Sequence, residues 1–295
     1  MSRELEHKGQ LELSIERARE ADRNYHLGGR SFYFFDFDDN VAFLSTPLIL
    51  FNKESGKELQ INSGEFAQEH SRIGKTGPFA DYEIRWNDQT GTFRCFRDHD
   101  SSELERLGHK TQIFLADVAH ALGYPDFQWK GPSWPTFYHA VFNQRPISVI
   151  TARGHHPETI KRGIDLFLEA GHLTQSPNYL SIFPVSHKPT RISLGDLDFS
   201  LGTAELKQAA IRASVEQAIK TYGFSPHHRF GMSDDDPRNI ELISEEMTRL
   251  KSQYPEMRFF MISTERGEFV KHEITLSGTT SQKLPDKAFE QIKLF

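Results

Sequence analysis

The sequence predicts an α/β protein with a parallel sheet and crossover helices, and two observations carry that prediction. After residue 145, short apolar runs alternate with segments of helical periodicity, the pattern of strands joined by crossover helices. Apolar runs also end in residues suited to binding, aspartates in two cases and a threonine in a third. Open α/β sheets bind ligands in the crevice beyond the carboxyl ends of their strands, so side chains at those ends converge.

The first strand is the aromatic start of SFYFFDFDDNV, residues 31–41, which runs straight into Asp36, Asp38 and Asp39. Residues 146–150 form the next core strand, ending at Thr151. A helix follows over about 156–170, with Pro157 in its first turn and Gly171 just past its end. Residues 179–184 read as a strand whose Pro184 suits a strand end or a sheet edge. From Thr203, the stretch TAELKQAAIRASVEQAIKTYGF spaces Ile211, Val215, Ala218 and Tyr222 three or four apart, an apolar helix face closed by Gly223. Residues 228–233 are a strand running into Asp234, Asp235 and Asp236, and residues 258–263 are another.

About a hundred residues separate the first two core strands, too many for a loop, so they hold structure of their own. Residues 47–52 and 59–62, joined by KESGKE, predict a β-hairpin. Residues 111–123 and 134–143 read as helices that either belong to the same insertion or pack against the core. The N-terminal stretch MSRELEHKGQLELSIERARE is charged throughout and predicts a short amphipathic helix rather than a signal peptide or membrane span.

Composition narrows the function. A chain of 295 residues with 37% hydrophobic content has ample core material, and its net charge of -6 disfavours nucleic acid as a partner. A small anion remains accessible, because a lysine or two and a helix N-terminus suffice to bind a phosphate. The one cysteine, Cys95, excludes internal disulfides and cysteine-rich zinc sites and fits a cytoplasmic location. Asp36, Asp38, Thr151 and Asp234 or Asp235 are expected to meet at the strand ends. Carboxylates gathered that closely read as a site for a hard divalent cation, with Mg2+ expected.

DFDDNV, the strand-end threonine of VITARG, and SDDDPRN, in that order, resemble the motifs of the haloacid dehalogenase superfamily. The resemblance covers residues of about 31–44 and 146–265. It implies a three-layer Rossmann-like core with strand order 5-4-1-2-3, assembled from residues 31–44 and 146–275. Residues 45–145 would then be an inserted cap containing the hairpin, 1–30 an N-terminal helical extension and 276–295 a C-terminal tail. The implied activity is Mg2+-dependent hydrolysis of a phosphate monoester through an aspartyl-phosphate, on a small phosphorylated metabolite. Alternatives are a phosphoprotein or nucleic-acid end as substrate, or a phosphate-binding regulatory module without turnover.

Carried over residue by residue, Asp36 resembles the nucleophile and Asp38 the general acid and base. Thr151 resembles the hydroxyl donor to a phosphate oxygen. The metal would be held by Asp36, the backbone carbonyl of Asp38, and Asp234 or Asp235. Lys207, in the early part of its helix, resembles the lysine that neutralises nucleophile and phosphoryl group, with Lys188 and Lys220 as rivals. Asn40 and Asn239 depart from the family's commoner threonine and aspartate.

Other signals yield blander readings. Ile73-Gly-Lys-Thr76 lacks the upstream glycine of a phosphate-binding loop and reads as a turn. Cys95 has no arginine placed to make it a phosphatase nucleophile and reads as a partly buried thiol. Neighbouring histidines in the pairs 155/156 and 227/228 point apart on regular elements, although His155 lies close enough to Thr151 to line the site.

Overall fold

Alternating burial on the first strand fixes how the layers stack. The computed structural model describes residues 18–264 and 269–283. In β1 (Ser31–Phe35) the rings of Phe32 and Phe34 enter one core, and Phe35 enters another on the opposite side of the sheet. The amphipathic helix proposed near the N-terminus falls almost entirely outside the described residues.

Three antiparallel strands follow, β2 (Leu48–Asn52), β3 (Glu58–Ile61) and β4 (Tyr82–Glu83), with α1 (Ser63–Glu69) after β3. The expected hairpin is β2 and β3, paired from Leu48 with Ile61 to Phe51 with Glu58. This small sheet has its own core of Leu48, Leu50, Ile61 and Ile73. Ile73, Gly74 and Lys75 lie in turns and Thr76 in a bend, in line with the turn expected over 73–76.

Next come α2 (Ser101–Arg106), α3 (Ile113–Ala121), α4 (Asp126–Trp129) and α5 (Trp134–Phe142). The insertion divides here. Phe114 and Val118 of α3, Trp129 of α4, and Trp134 and Phe137 of α5 are buried in the same cluster as Phe35 and Val149. These helices are part of the main body, and only the segment around β2–β4 and α1 stands apart from its core.

The main sheet continues with β5 (Pro146–Thr151), α6 (Pro157–Glu169), β6 (Asn178–Pro184), α7 (Lys188–Ser193), α8 (Thr203–Tyr222), β7 (Arg229–Asp234), α9 (Pro237–Gln253) and β8 (Arg258–Ser263). Antiparallel β9 (Val270–Thr275) and β10 (Gly278–Lys283) complete it, so β10, within the expected tail of 276–295, extends the sheet. The seven strands run in the order β10-β9-β8-β7-β1-β5-β6, and the five from β8 to β6 are mutually parallel. Pro184 ends β6 at the sheet edge, where its missing N–H costs no ladder bond.

Helices α8 and α9 cover one face through Leu206, Ile211, Val215, Ile243 and Met247, and α3, α5 and α6 cover the other. The result is an α/β architecture with a mostly parallel sheet between helices, compatible with a Rossmann-like fold. No helix among the described residues is long and apolar enough to cross a membrane.

Candidate active site

Parallel pairing of β1 with β5 and β7 brings three strand ends to one edge. Asp36 follows β1 directly, and its N–H donates to the Ser233 carbonyl at 3.0 Å, locking it beside the end of β7. Thr151 ends β5 and Asp234 ends β7. Ligand atoms of Asp36, Asp234 and Asp235 lie within 4.8 Å of one another.

Lys207 enters this cluster from α8. It is the fifth residue of the helix, one beyond the first turn, and is 1% exposed. Its Nζ lies 2.7 Å from Asp234 Oδ2 and 3.0 Å from Asp36 Oδ2. The rival lysines lie elsewhere: Lys188 pairs with Asp88 at 2.6 Å, and Lys220 is exposed in the last turn of α8.

Electrostatics around the lysine are unbalanced. Burial disfavours its ammonium, but Asp234 and then Asp36 outweigh that and hold it charged above the usual lysine range. Burial pushes the Asp36 carboxyl well above its usual value, against the pull of Lys207 and with Asp234, Asp235 and Asp38 adding repulsion. Burial, then Asp234 and Asp39, push Asp235 up to about 7. One lysine does not neutralise three carboxylates, so a second cation would relieve the rest.

The donor atoms fit such a cation. Asp36 Oδ1 is buried with no hydrogen-bond partner. Asp234 is already committed: its Oδ2 takes Lys207, and its Oδ1 accepts from Asp236 N at 3.0 Å and Asn239 Nδ2 at 3.1 Å. Asp235 is less buried than Asp234 and faces the same space. Of the two carboxylates that spacing leaves open, Asp235 is therefore the one with capacity for a metal, and Asp234 is the one that holds the lysine. An all-oxygen set suits Mg2+, which keeps several waters and takes one or two carboxylates.

Asp38 does not place its carboxylate in that cluster. Arg153 Nε donates to Asp38 Oδ2 at 2.9 Å and Nη2 to Oδ1 at 2.6 Å, while the Thr151 hydroxyl donates to Oδ2 at 3.3 Å. The Asp38 carboxylate, expected among the metal ligands, is instead engaged by Arg153. The long bond from Thr151 is weak enough for its hydroxyl to turn toward an incoming oxyanion.

Asn40 has a framework role. Its Nδ2 donates to the Asp36 and Ser233 carbonyls at 3.0 and 3.1 Å, and its Oδ1 accepts from Ser133 and Thr264 hydroxyls at 2.7 and 2.9 Å. A threonine could not reach all four partners, which accounts for the amide. His155, expected near the site, is fully buried against Phe114 at 5.3 Å between ring centroids, and neither ring nitrogen has a hydrogen-bond partner. Cys95 is buried, and burial raises its thiol above the usual range, as suits an inert thiol.

Sequence reasoning missed Arg153 and Asp39. Arg153 stands two residues past Thr151, and an arginine there had a visible signal, since a carboxylate pair nearby needs cations. Asp39 adopts a left-handed φ of 57°, tolerated by aspartate, and burial pushes its carboxyl up to about 6. Compared with known proteins, the chain matches no family model, no curated protein and no solved structure.

Proposed function

We propose that the protein is a Mg2+-dependent phosphohydrolase of the haloacid dehalogenase type, cleaving a phosphate monoester of a small metabolite through an aspartyl-phosphate on Asp36. The observation that carries this reading is Asp36 itself: a buried strand-end carboxylate with one oxygen on Lys207 and the other without any partner. A structural carboxylate would have both oxygens satisfied. The five parallel strands, numbered among themselves along the chain, have the order 5-4-1-2-3, which supports the same reading.

In the first half-reaction one oxygen of Asp36 attacks phosphorus in line with the ester oxygen. The P–O ester bond breaks as the Asp36–phosphorus bond forms, and Asp38, in the role of general acid, gives a proton to the departing alkoxide. Lys207 favours the ionised form of Asp36 against the cost of burial and faces the charge gathered on the phosphoryl oxygens, and the Thr151 hydroxyl orients one of them. In the second half-reaction Asp38 takes a proton from water, whose oxygen attacks phosphorus and releases Asp36 and inorganic phosphate. Bound through Asp36, Asp235 and the Asp38 carbonyl, Mg2+ would supply charge neutralisation and a fixed template for the phosphoryl group.

The test is a screen over sugar phosphates, nucleotides, phospho-amino acids and phosphorylated nucleic-acid ends, with Mg2+ or chelator. Turnover that chelator abolishes, with an acid-stable, hydroxylamine-labile phosphoryl label lost in Asp36→Asn, is the expected result. A label on serine or histidine, or equal turnover in chelator, overturns the proposal.

A further inference from the structure

Resting on the phosphohydrolase reading, we infer that Arg153 is the positioning residue of the reaction: it fixes the rotamer of Asp38, the group that reading uses for proton transfer, beside the nucleophile. The geometry is specific. Arg153 is fully buried, yet its partner Asp38 keeps 21% side-chain exposure, so the clamp comes from inside and leaves one side of the carboxylate open. Nε and Nη2 grip both Asp38 oxygens in the paired manner that a lysine cannot reproduce.

Arg153 is in turn held from three directions. Its guanidinium carbon lies 4.8 Å from the ring centroid of Phe96 and 4.5 Å from that of Phe114, so two aromatic rings bound the slot. Nη2 also donates to Thr46 Oγ1 at 2.7 Å. The Thr46 hydroxyl donates to Asp117 Oδ2, and Ser45 Oγ donates to Asp117 Oδ1 at 2.6 Å. A chain of contacts thus runs from Asp117 on α3 through Thr46 to Arg153 and Asp38. An arginine serving stability alone would need no such fork onto a half-open carboxylate beside the nucleophile.

The chemistry makes a distinctive demand. A group that only places the acid matters where the leaving group needs a proton and little where it does not. Arg153→Lys and Arg153→Met, with Thr46→Val as the milder variant should the first two fail to fold, are assayed on an alkyl phosphate and on p-nitrophenyl phosphate. Expected is a loss of kcat of about 100-fold or more on the alkyl ester and under about 10-fold for the formation of phosphoenzyme from the aryl ester, with KM little changed. Arg153→Met placed on Asp38→Asn should cost less than about threefold further, because the group it positions is already gone. Equal losses on both esters, or full additivity with Asp38→Asn, overturn the inference while leaving the phosphohydrolase intact. A wild-type protein that turns over neither ester overturns the phosphohydrolase reading and this inference with it.

Discussion

At the scale of single residues, the cluster at the strand ends is an arrangement of buried charge in which each member answers to another. Lys207 sits between Asp36 and Asp234 at 3.0 and 2.7 Å, so removing it strands two carboxylates away from water. Lys207→Met should abolish turnover and lower stability by about 3 kcal/mol at pH 8 in chelator, read by urea denaturation. Less is expected at pH 5, where Asp36 can take up a proton. The carboxylates carry a second consequence. Asp235, held near 7, and Asp36, held well above the usual range, both bind protons more tightly in the folded than in the unfolded chain. Their contribution to stability is complete below the unfolded value near 3.8 and fades as pH rises through the folded values. Metal-free protein is therefore penalised at pH 8, and Mg2+, which favours ionised ligands, should lift the melting temperature more at pH 8 than at pH 5.5. Differential scanning with Mg2+ and with chelator measures the two increments, and a larger increment at pH 5.5 would remove Asp36 and Asp235 as ligands.

At the scale of elements, the legible parts were those whose local signals are complete. Pro157 and Gly171 bracket α6, and Ile211, Val215 and Ala218 bury one face of α8, so both helices stand where periodicity puts them. The strand-end aspartates were legible only jointly: one carboxylate after an apolar run commonly caps a helix or turn, whereas two such clusters and a threonine at three strand ends point to a shared site. What sequence could not assign was partnership across the chain. Arg153 to Asp38, Thr46 to Asp117 and Asn40 to Ser233 join residues that no periodicity relates, and whether α3 and α5 belong to core or insertion depends on what Phe114 and Phe137 meet. Packing also explains Gly163, inside α6, where glycine weakens a helix. A Cβ there would lie 2.3 Å from Cε1 of Phe114, the ring that also faces Arg153. Gly163→Ala should cost about 1–3 kcal/mol through overpacking despite better helix propensity. By moving Phe114 it should also depress turnover, whereas an alanine at an exposed position of the same helix should do neither.

At the scale of the whole molecule, the question is what the insertion contributes, and the structure changes which segment can be tested. Removing all of 45–145 would strip Phe114, Trp129, Trp134 and Phe137 from the core shared with β1 and β5. The separable unit is smaller. Ile49 N donates to Thr92 O at 3.1 Å, so the two ends of the β2–β4 segment lie side by side and a few glycines could replace residues 49–92. Its satellite core of Leu50, Ile61 and Ile73 leaves together with it. The segment is not free to swing as a loosely hinged lid would. Lys188 at the start of α7 pairs with Asp88 at 2.6 Å, and just after the segment Phe96 O accepts from Gly154 N at 2.7 Å and Asp98 Oδ2 accepts from His156 N at 2.8 Å, anchoring it and the chain that leaves it. If the protein is the phosphohydrolase proposed above, a wall fixed in this way would hold the part of the substrate remote from phosphorus. The deletion variant retains Asp36, Asp38, Thr46, Phe96, Arg153, Lys207 and Asp235, so the reacting groups and the clamp on Asp38 stay in place. Provided it melts cooperatively, it should lose about 100-fold or more in kcat/KM on the best substrate of the screen but under about 10-fold on p-nitrophenyl phosphate, whose ring makes no such remote contacts. Equal losses on both would show that the segment supports the reacting groups themselves, because binding energy spent far from phosphorus cannot be missed by a substrate that never used it.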